Sequence, residues 1–182
     1  MPVTVRRAGA ADAEALSRLA AVTFPLACTP QTPADVLAAH IATRLDPETF
    51  RRQLGDPACV VLVAEPLAVT GGGDLVGYTM LLGGDPGDPD VADVIRLRPT
   101  IALERCYVHP DHHGTGVADL LMGQTLTAAA ATGAAGAWLG VSEENDRANA
   151  FYARHGFEPV GRKRFRIGDR WEDDVVRERP LP

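Results

Sequence analysis

Residues Glu104–Ala118, ERCYVHPDHHGTGVA, decide how this chain is read. The segment Ile101–Val108 has the apolar content of a strand, the chain breaks at Pro110, and a glycine–histidine loop leads into Gly116–Ala131. There alanine, leucine and methionine recur at helical spacing until Gly133. A strand that enters a glycine-rich loop and then a helix start is an anion site in outline. Unpaired amides point outward, the helix dipole favours negative charge, and glycines let a phosphate approach the backbone. Gly114 and Gly116 supply that pattern. The nucleotide fingerprints do not fit: a dinucleotide motif needs glycine where Asp119 stands, and a P-loop needs a lysine that the loop lacks. A bare Gly-x-Gly is equally the mark of a structural turn. His109, His112 and His113 lack the spacing of a metal set and read as exposed loop residues, so no metal is expected.

The chain has 182 residues, 46% hydrophobic and 23% charged, which suits one soluble globular domain spanning residues 1–182. A net charge of -6 leaves no basic excess for a nucleic-acid partner and suits a cationic substrate. Cys28, Cys59 and Cys106 are odd in number and far apart, which signals neither a disulfide framework nor a zinc knuckle and fits a reducing compartment. The N-terminal segment lacks the apolar core of a secretory signal, and no apolar run approaches a membrane span, so a cytoplasmic location is expected.

Working outward, Val3–Arg6 alternates like a short strand and a helix follows, with Asp12 near its start and Leu16, Leu19 and Ala20 on one face. A second helix is entered at Thr32–Pro33, and a third has Asp46 as cap and Pro47 in its first turn. ACVVLVAE and DLVGYTMLLGG read as a hairpin around TGGG, and residues 83–100 as a long surface loop. GAWLGVS is a short buried strand, Asn145–His155 a helix closed by Gly156, and the last two strands turn at Gly168–Asp169. The order predicts a mixed α/β sheet with helices on both sides. Ala148 and Tyr152 are four apart and share a helix face, with Asn145 a turn earlier; core packing alone would also place a tyrosine there.

Taken in order, the strand, the HGTGVA loop, the helix, the next strand and NDRANAFYARHGF resemble the GNAT superfamily of acetyl-CoA-dependent N-acetyltransferases. The likeness is firm from Ile101 to Phe157. His113, Gly116 and Ala118 fall on the three defined positions of the family's Arg/Gln-x-x-Gly-x-Gly/Ala loop, and His113 departs from it. The resemblance implies a mostly antiparallel central sheet flanked by helices, with splayed central strands at the CoA site. It implies that Cys106, Tyr107 and Val108 bond the pantetheine arm through their main chain, with an amide near Cys106 polarising the thioester carbonyl. The amides of His113, Gly114, Thr115, Gly116, Val117, Ala118 and Asp119 would cradle the pyrophosphate. Asn145 would reach the pantetheine or a water, Tyr152 would be the general acid for the leaving thiolate, and Arg154 would meet a CoA phosphate or stay in solvent. A base must leave the amine neutral. Glu104, expected half-buried with a raised pKa, is the candidate, with a surface ion-pair role equally open; Glu143 and Glu144 read more as helix N-terminal charge.

The tail FRIGDRWEDDVV, with ERCYVHP and WLGV, looks similar to the bacterial polyamine (spermidine/spermine) N-acetyltransferase branch. Asp169, Glu172, Asp173 and Asp174 suit a polycation, whereas Arg162, Arg164 and Arg166 share a strand face that would repel one unless it meets solvent. The rival acceptors are a protein N-terminal or lysine amine, or an amine-bearing metabolite. A non-catalytic acyl-CoA-binding regulator is the reading from another class, against which Tyr152 counts. Family members are often dimers, and Trp171 is where a homodimer contact would fall.

Overall fold

The computed structural model describes residues 2–67 and 74–182, so the TGGG of the first hairpin lies outside the described residues. Seven strands form one sheet in the order β1-β2-β3-β4-β5-β7-β6: β1 (Val3–Arg7), β2 (Cys59–Pro66), β3 (Gly77–Gly83), β4 (Thr100–Val108), β5 (Gly136–Ser142), β6 (Glu158–Ile167) and β7 (Arg170–Pro180). Every neighbouring pair is antiparallel except β4 and β5. Those two are joined by a helical crossover, the connection a parallel pair requires.

Period-two alternation on β2 explains why both faces are covered. Cys59, Val61 and Val63 pack with Leu16, Phe50 and Tyr78 under the first three helices, α1 (Ala13–Thr23), α2 (Ala34–Arg44) and α3 (Pro47–Gly55). Leu62 and Ala64 point the other way, against Val117 and Leu121 of the crossover helix α5 (Val117–Ala131). Asp46 caps α3, accepting from the amides of Glu48 and Thr49 at 3.0 Å each. The second helix begins at Ala34, after Pro33, because Thr32 is buried and gives its hydroxyl to Glu172.

Residues 83–100 are more than a surface loop. They contain a one-turn helix, α4 (Pro89–Ala92), capped by Asp88, and Val91 and Ile95 are buried against Trp138 and Val176. Glu178 on β7 ties the segment down by accepting from the amides of Arg96 and Leu97 at 3.1 and 2.9 Å. Val91 and Ile95, four apart, were the apolar signal; the surrounding glycines, prolines and aspartates masked it.

Two irregularities open the centre of the sheet. Between β3 and β4 the register slips, with Leu81 opposite Leu103 and Met80 opposite Arg105, so Glu104 is the extra residue of a bulge. Between β4 and β5 only Thr100, Ala102 and the intervening Ile101 pair, with Gly136, Trp138 and Ala137. β5 then follows β7 along its whole length while β4 stays with β3, so the two part into a wedge. Gly136 stands where the parallel pairing begins. A Cβ there would lie 2.4 Å from the Leu97 Cβ. Gly136→Ala is expected to destabilise the fold by about 1–3 kcal/mol, the range for overpacking a tight site. Urea unfolding checks this, and a loss below about 0.5 kcal/mol would mean that the contact yields freely.

Candidate active site

Beyond Ala102 the edge of β4 that faces β5 carries no strand pairing, and Cys106, Tyr107 and Val108 lie on that stretch. Their other edge is paired to Thr79, Tyr78 and Gly77 of β3, which holds the strand straight. The chain then makes a 3-10 turn over Pro110–His112 and reaches Gly114 (φ 75°) and Gly116 (φ 86°), both left-handed. That conformation favours glycine. A Cβ at either position would meet nothing within 4 Å, so the loop's upper side is open. No side chain caps α5, leaving the first-turn amides of Val117, Ala118 and Asp119 without intrahelical acceptors. The amides of His113 and Thr115 are different: Pro110 and His112 carbonyls accept from them at 3.0 and 3.4 Å. The cradle expected from His113 to Asp119 is therefore narrowed to Gly114 and Gly116–Asp119. Glycines held left-handed around an uncapped helix start fit a pyrophosphate.

His113 is no bystander. Its Nε2 lies 2.8 Å from the Val108 carbonyl and its Nδ1 3.0 Å from Arg147 Nη1. One tautomer satisfies both: Nε2–H donates to Val108, and Nδ1 accepts from the guanidinium. The ring thus pins the strand end to the loop and brings Arg147 to the cleft, a cation that the sequence reading passed over inside its own motif. His109 accepts from the Asp111 amide at 3.3 Å, which shapes the turn. Among the described residues no cluster of three metal-ligating side chains occurs.

Across the wedge, α6 (Asp146–Arg154) presents Tyr152. The tyrosine packs in the same cluster as Cys106, with its hydroxyl close enough to the thiol for each to perturb the other. Burial pushes the Tyr152 phenol well above its usual pKa, with Cys106 and Tyr107 adding to the effect. Burial likewise pushes the Cys106 thiol up to about 12, partly offset by the Tyr152 hydroxyl. Asn145 caps α6, its Oδ1 accepting from the Ala148 amide at 3.0 Å, so that oxygen serves the helix. Arg154 is exposed and donates to Asp119 Oδ1 at 3.2 Å, beside the uncapped end of α5. The same oxygen lies 2.8 Å from His155 Nε2. That bond foremost, with help from Arg154, holds the Asp119 carboxyl below the usual carboxylate range.

The wedge continues into a cleft of about 340 Å³. Its far wall comes from Thr23–Cys28 after α1 and from the inner face of the β6–β7 hairpin. Glu104 lines the cleft as the bulge residue of β4 and is exposed, not half-buried as expected. Arg162, Arg164 and Arg166 also face outward, toward Glu143 and Trp171, so they do not repel a cation in the cleft. Glu143 is paired with Arg162 at 2.7 Å. Trp171 is 55% exposed at the hairpin. Facing in are Lys163, Phe165, Glu172 and Asp174. Burial raises Asp174 to about 6, against the lowering effect of Lys163.

Because the fold holds a proton on Asp174 more tightly than the unfolded chain does, that group's share of stability is complete below about pH 4 and is lost as pH rises through about 6. Asp174→Asn is therefore expected to stabilise the protein by about 1–3 kcal/mol at pH 7.5, with no gain at pH 4. Thermal melts at the two pH values check this, and a pH-independent gap would contradict the burial argument.

Comparison with known proteins agrees with this geometry. The model of the Acetyltransferase (GNAT) family matches residues 26–157. An uncharacterized N-acetyltransferase of Mycobacterium tuberculosis is 38% identical over 170 residues, covering 93% of this chain and 98% of the relative. Among solved structures, the PaiA N-acetyltransferase of Thermoplasma acidophilum in complex with coenzyme A superposes with a TM-score of 0.75 at 16% identity, over 99% of each chain. A spermidine N-acetyltransferase SpeG chimera from Vibrio cholerae and hSSAT gives 0.68 at 19%, over 100% of this chain and 96% of that one. At such identities the two structures speak for the fold. With the family model over most of its length and a full-length relative behind it, the chain belongs to the GNAT family of acetyl-CoA-dependent N-acetyltransferases.

Proposed function

We propose that the protein moves the acetyl group of acetyl-CoA to a primary amine by direct attack, with Tyr152 as the proton donor to the leaving thiolate and a polyamine as the acceptor. The observation that carries this reading is the position of Tyr152. Its hydroxyl stands beside Cys106, on the unpaired edge of β4, within the wedge. Burial keeps the phenol protonated at neutral pH, so it serves as a donor and not as a base.

The remaining parts follow from the same edge. Acetyl-CoA supplies a thioester whose carbonyl accepts negative charge as the amine attacks. The backbone near Cys106 meets that charge with an amide held by the β3–β4 pairing, a donor that need not reorganise during the reaction. Gly114 and Gly116–Asp119 receive the pyrophosphate, with Arg147 and Arg154 as flanking cations. On the acceptor side, Glu104, Glu172 and Asp174 line the cleft while the three arginines of β6 point away, and that sign of charge favours a cationic amine.

Tyr152→Phe is expected to lower kcat by about 10²-fold or more while leaving acetyl-CoA affinity within a few-fold, since a general acid acts in the transition state. Thiol release and calorimetry measure the two. The acceptor is identified by thiol release over spermidine, spermine, N-terminal peptides, lysine peptides and aminoglycosides. Release with peptides alone would transfer the reading to protein acetylation. Binding of acetyl-CoA with no release from any amine would favour a regulator.

A further inference from the structure

The inward face of β7 carries Glu172, Asp174 and Glu178 in alternation, and the three are provided for very unequally. Glu172 accepts from the hydroxyls of Thr29 and Thr32, both at 3.1 Å. Glu178 accepts from two backbone amides. Asp174 lies between them, only 8% exposed, and accepts no hydrogen bond within the described residues. Its nearest cation is the ammonium of Lys163, directly opposite on β6, at 3.9 Å. That separation is beyond hydrogen-bond reach.

Lys163 is the only lysine in the sequence, and the fold makes room for it. Gly140 of β5 faces the cleft, and a Cβ there would come within 2.4 Å of the Lys163 Cε and 3.2 Å of Asp174 Oδ2. Asp174 has no hydrogen-bond donor from the described residues, and both it and Lys163 line the cleft from the wall opposite β4. Tyr107 of β4 lies within electrostatic reach of Asp174, placing the carboxylate across the wedge from the strand that carries Cys106.

We infer that Asp174 receives the acceptor's ammonium group and takes its proton, and that Lys163 is a positioning residue that keeps Asp174 ionised. This rests on the direct-attack reading above. An ammonium entering the cleft would donate to a carboxylate that no donor of the described residues engages. One N–H bond breaks and its proton passes to a carboxylate oxygen of Asp174, leaving the nitrogen its electron pair, which forms the C–N bond to the thioester carbonyl carbon. As the adduct collapses the C–S bond breaks, the thiolate takes the Tyr152 proton, the second nitrogen proton restores the Tyr152 phenol, and Asp174 releases its own proton to solvent. Glu104, exposed on the bulge at the same cleft, has no comparable shelter from water. The charged and titratable groups around Asp174 are Lys163 on β6, Glu172 and Asp173 on β7, and Tyr107 on β4. Of these Lys163 lowers its pKa and the two acids raise it, so removing Lys163 raises it further.

The test uses the full chain with spermidine and a peptide with a free N-terminus as probes. Asp174→Asn is expected to fold, to bind acetyl-CoA as before and to lose about 10²-fold or more in kcat. Wild-type kcat is expected to fall below about pH 6, and Lys163→Met to move that limb to higher pH, which a merely structural lysine would not do. Carboxyl carbon NMR gives a readout independent of turnover. The signal missing from Asp174→Asn should titrate near 6 and shift when a probe amine is added. An Asp174→Asn enzyme with the wild-type acid limb, a limb lost instead in Glu104→Gln, or an Asp174 signal indifferent to both probes would overturn the inference. If wild type binds acetyl-CoA but releases thiol with no amine of the wider panel, the direct-attack reading fails, and the NMR response alone decides whether Asp174 receives an amine.

Discussion

The parting of β4 from β5 after three paired residues is the constraint on which the rest of the molecule depends. A strand edge without a partner is normally a liability, since its amides and carbonyls must find hydrogen bonds elsewhere. Here the bulge at Glu104 turns β4 away, β7 takes up β5, and the edge through Cys106–Val108 is left facing a cleft in the interior of the sheet. An extended ligand arm meets that edge as a further strand would. The C-terminal end of β4 leads into the glycine loop, so the uncapped amides at the start of α5 follow directly on the strand edge.

Several small devices keep this opening in shape. His113 fastens the end of β4 by donating to Val108, and through its other nitrogen it steadies Arg147. Asn145 caps the helix that presents Tyr152. Glu172 draws the Thr29–Thr32 segment over the acceptor side, and Glu178 anchors the segment before β4. Each satisfies a polar group at the end of an element or in a connecting segment, where an unpaired buried group costs about 1–3 kcal/mol. The cleft is therefore held by its rim as much as by the hydrophobic clusters beneath it.

Against that background the titratable groups inside the cleft are arranged by role. Tyr152 and Cys106 are both pushed upward and remain protonated at neutral pH, while Asp174 is raised only to about 6 because Lys163 stands opposite. Ionised Asp174 is destabilising to the fold at that pH, a strain that sites of chemistry commonly carry.

By itself the sequence determined the strands and helices that build the site, because their signals are local. Gly136–Ser142 is bounded by glycine and apolar throughout, Asp46 and Asn145 precede their helices by one residue, and Gly114 and Gly116 mark left-handed backbone. The order of these motifs also sufficed for the resemblance to GNAT enzymes. Tertiary structure alone decided what depends on partners distant in the chain. Whether Glu104 or Asp174 is sheltered follows from a bulge against β3 and from the pairing of β6 with β7. The outward turn of Arg162, Arg164 and Arg166 could not be told from alternation, which is the same for either face. The work of His113 lies in contacts with Val108 and Arg147, and the packing of residues 83–100 lies in Trp138, Val176 and Glu178. Burial and electrostatics are sums over neighbours in space, and a single sequence records only neighbours along the chain.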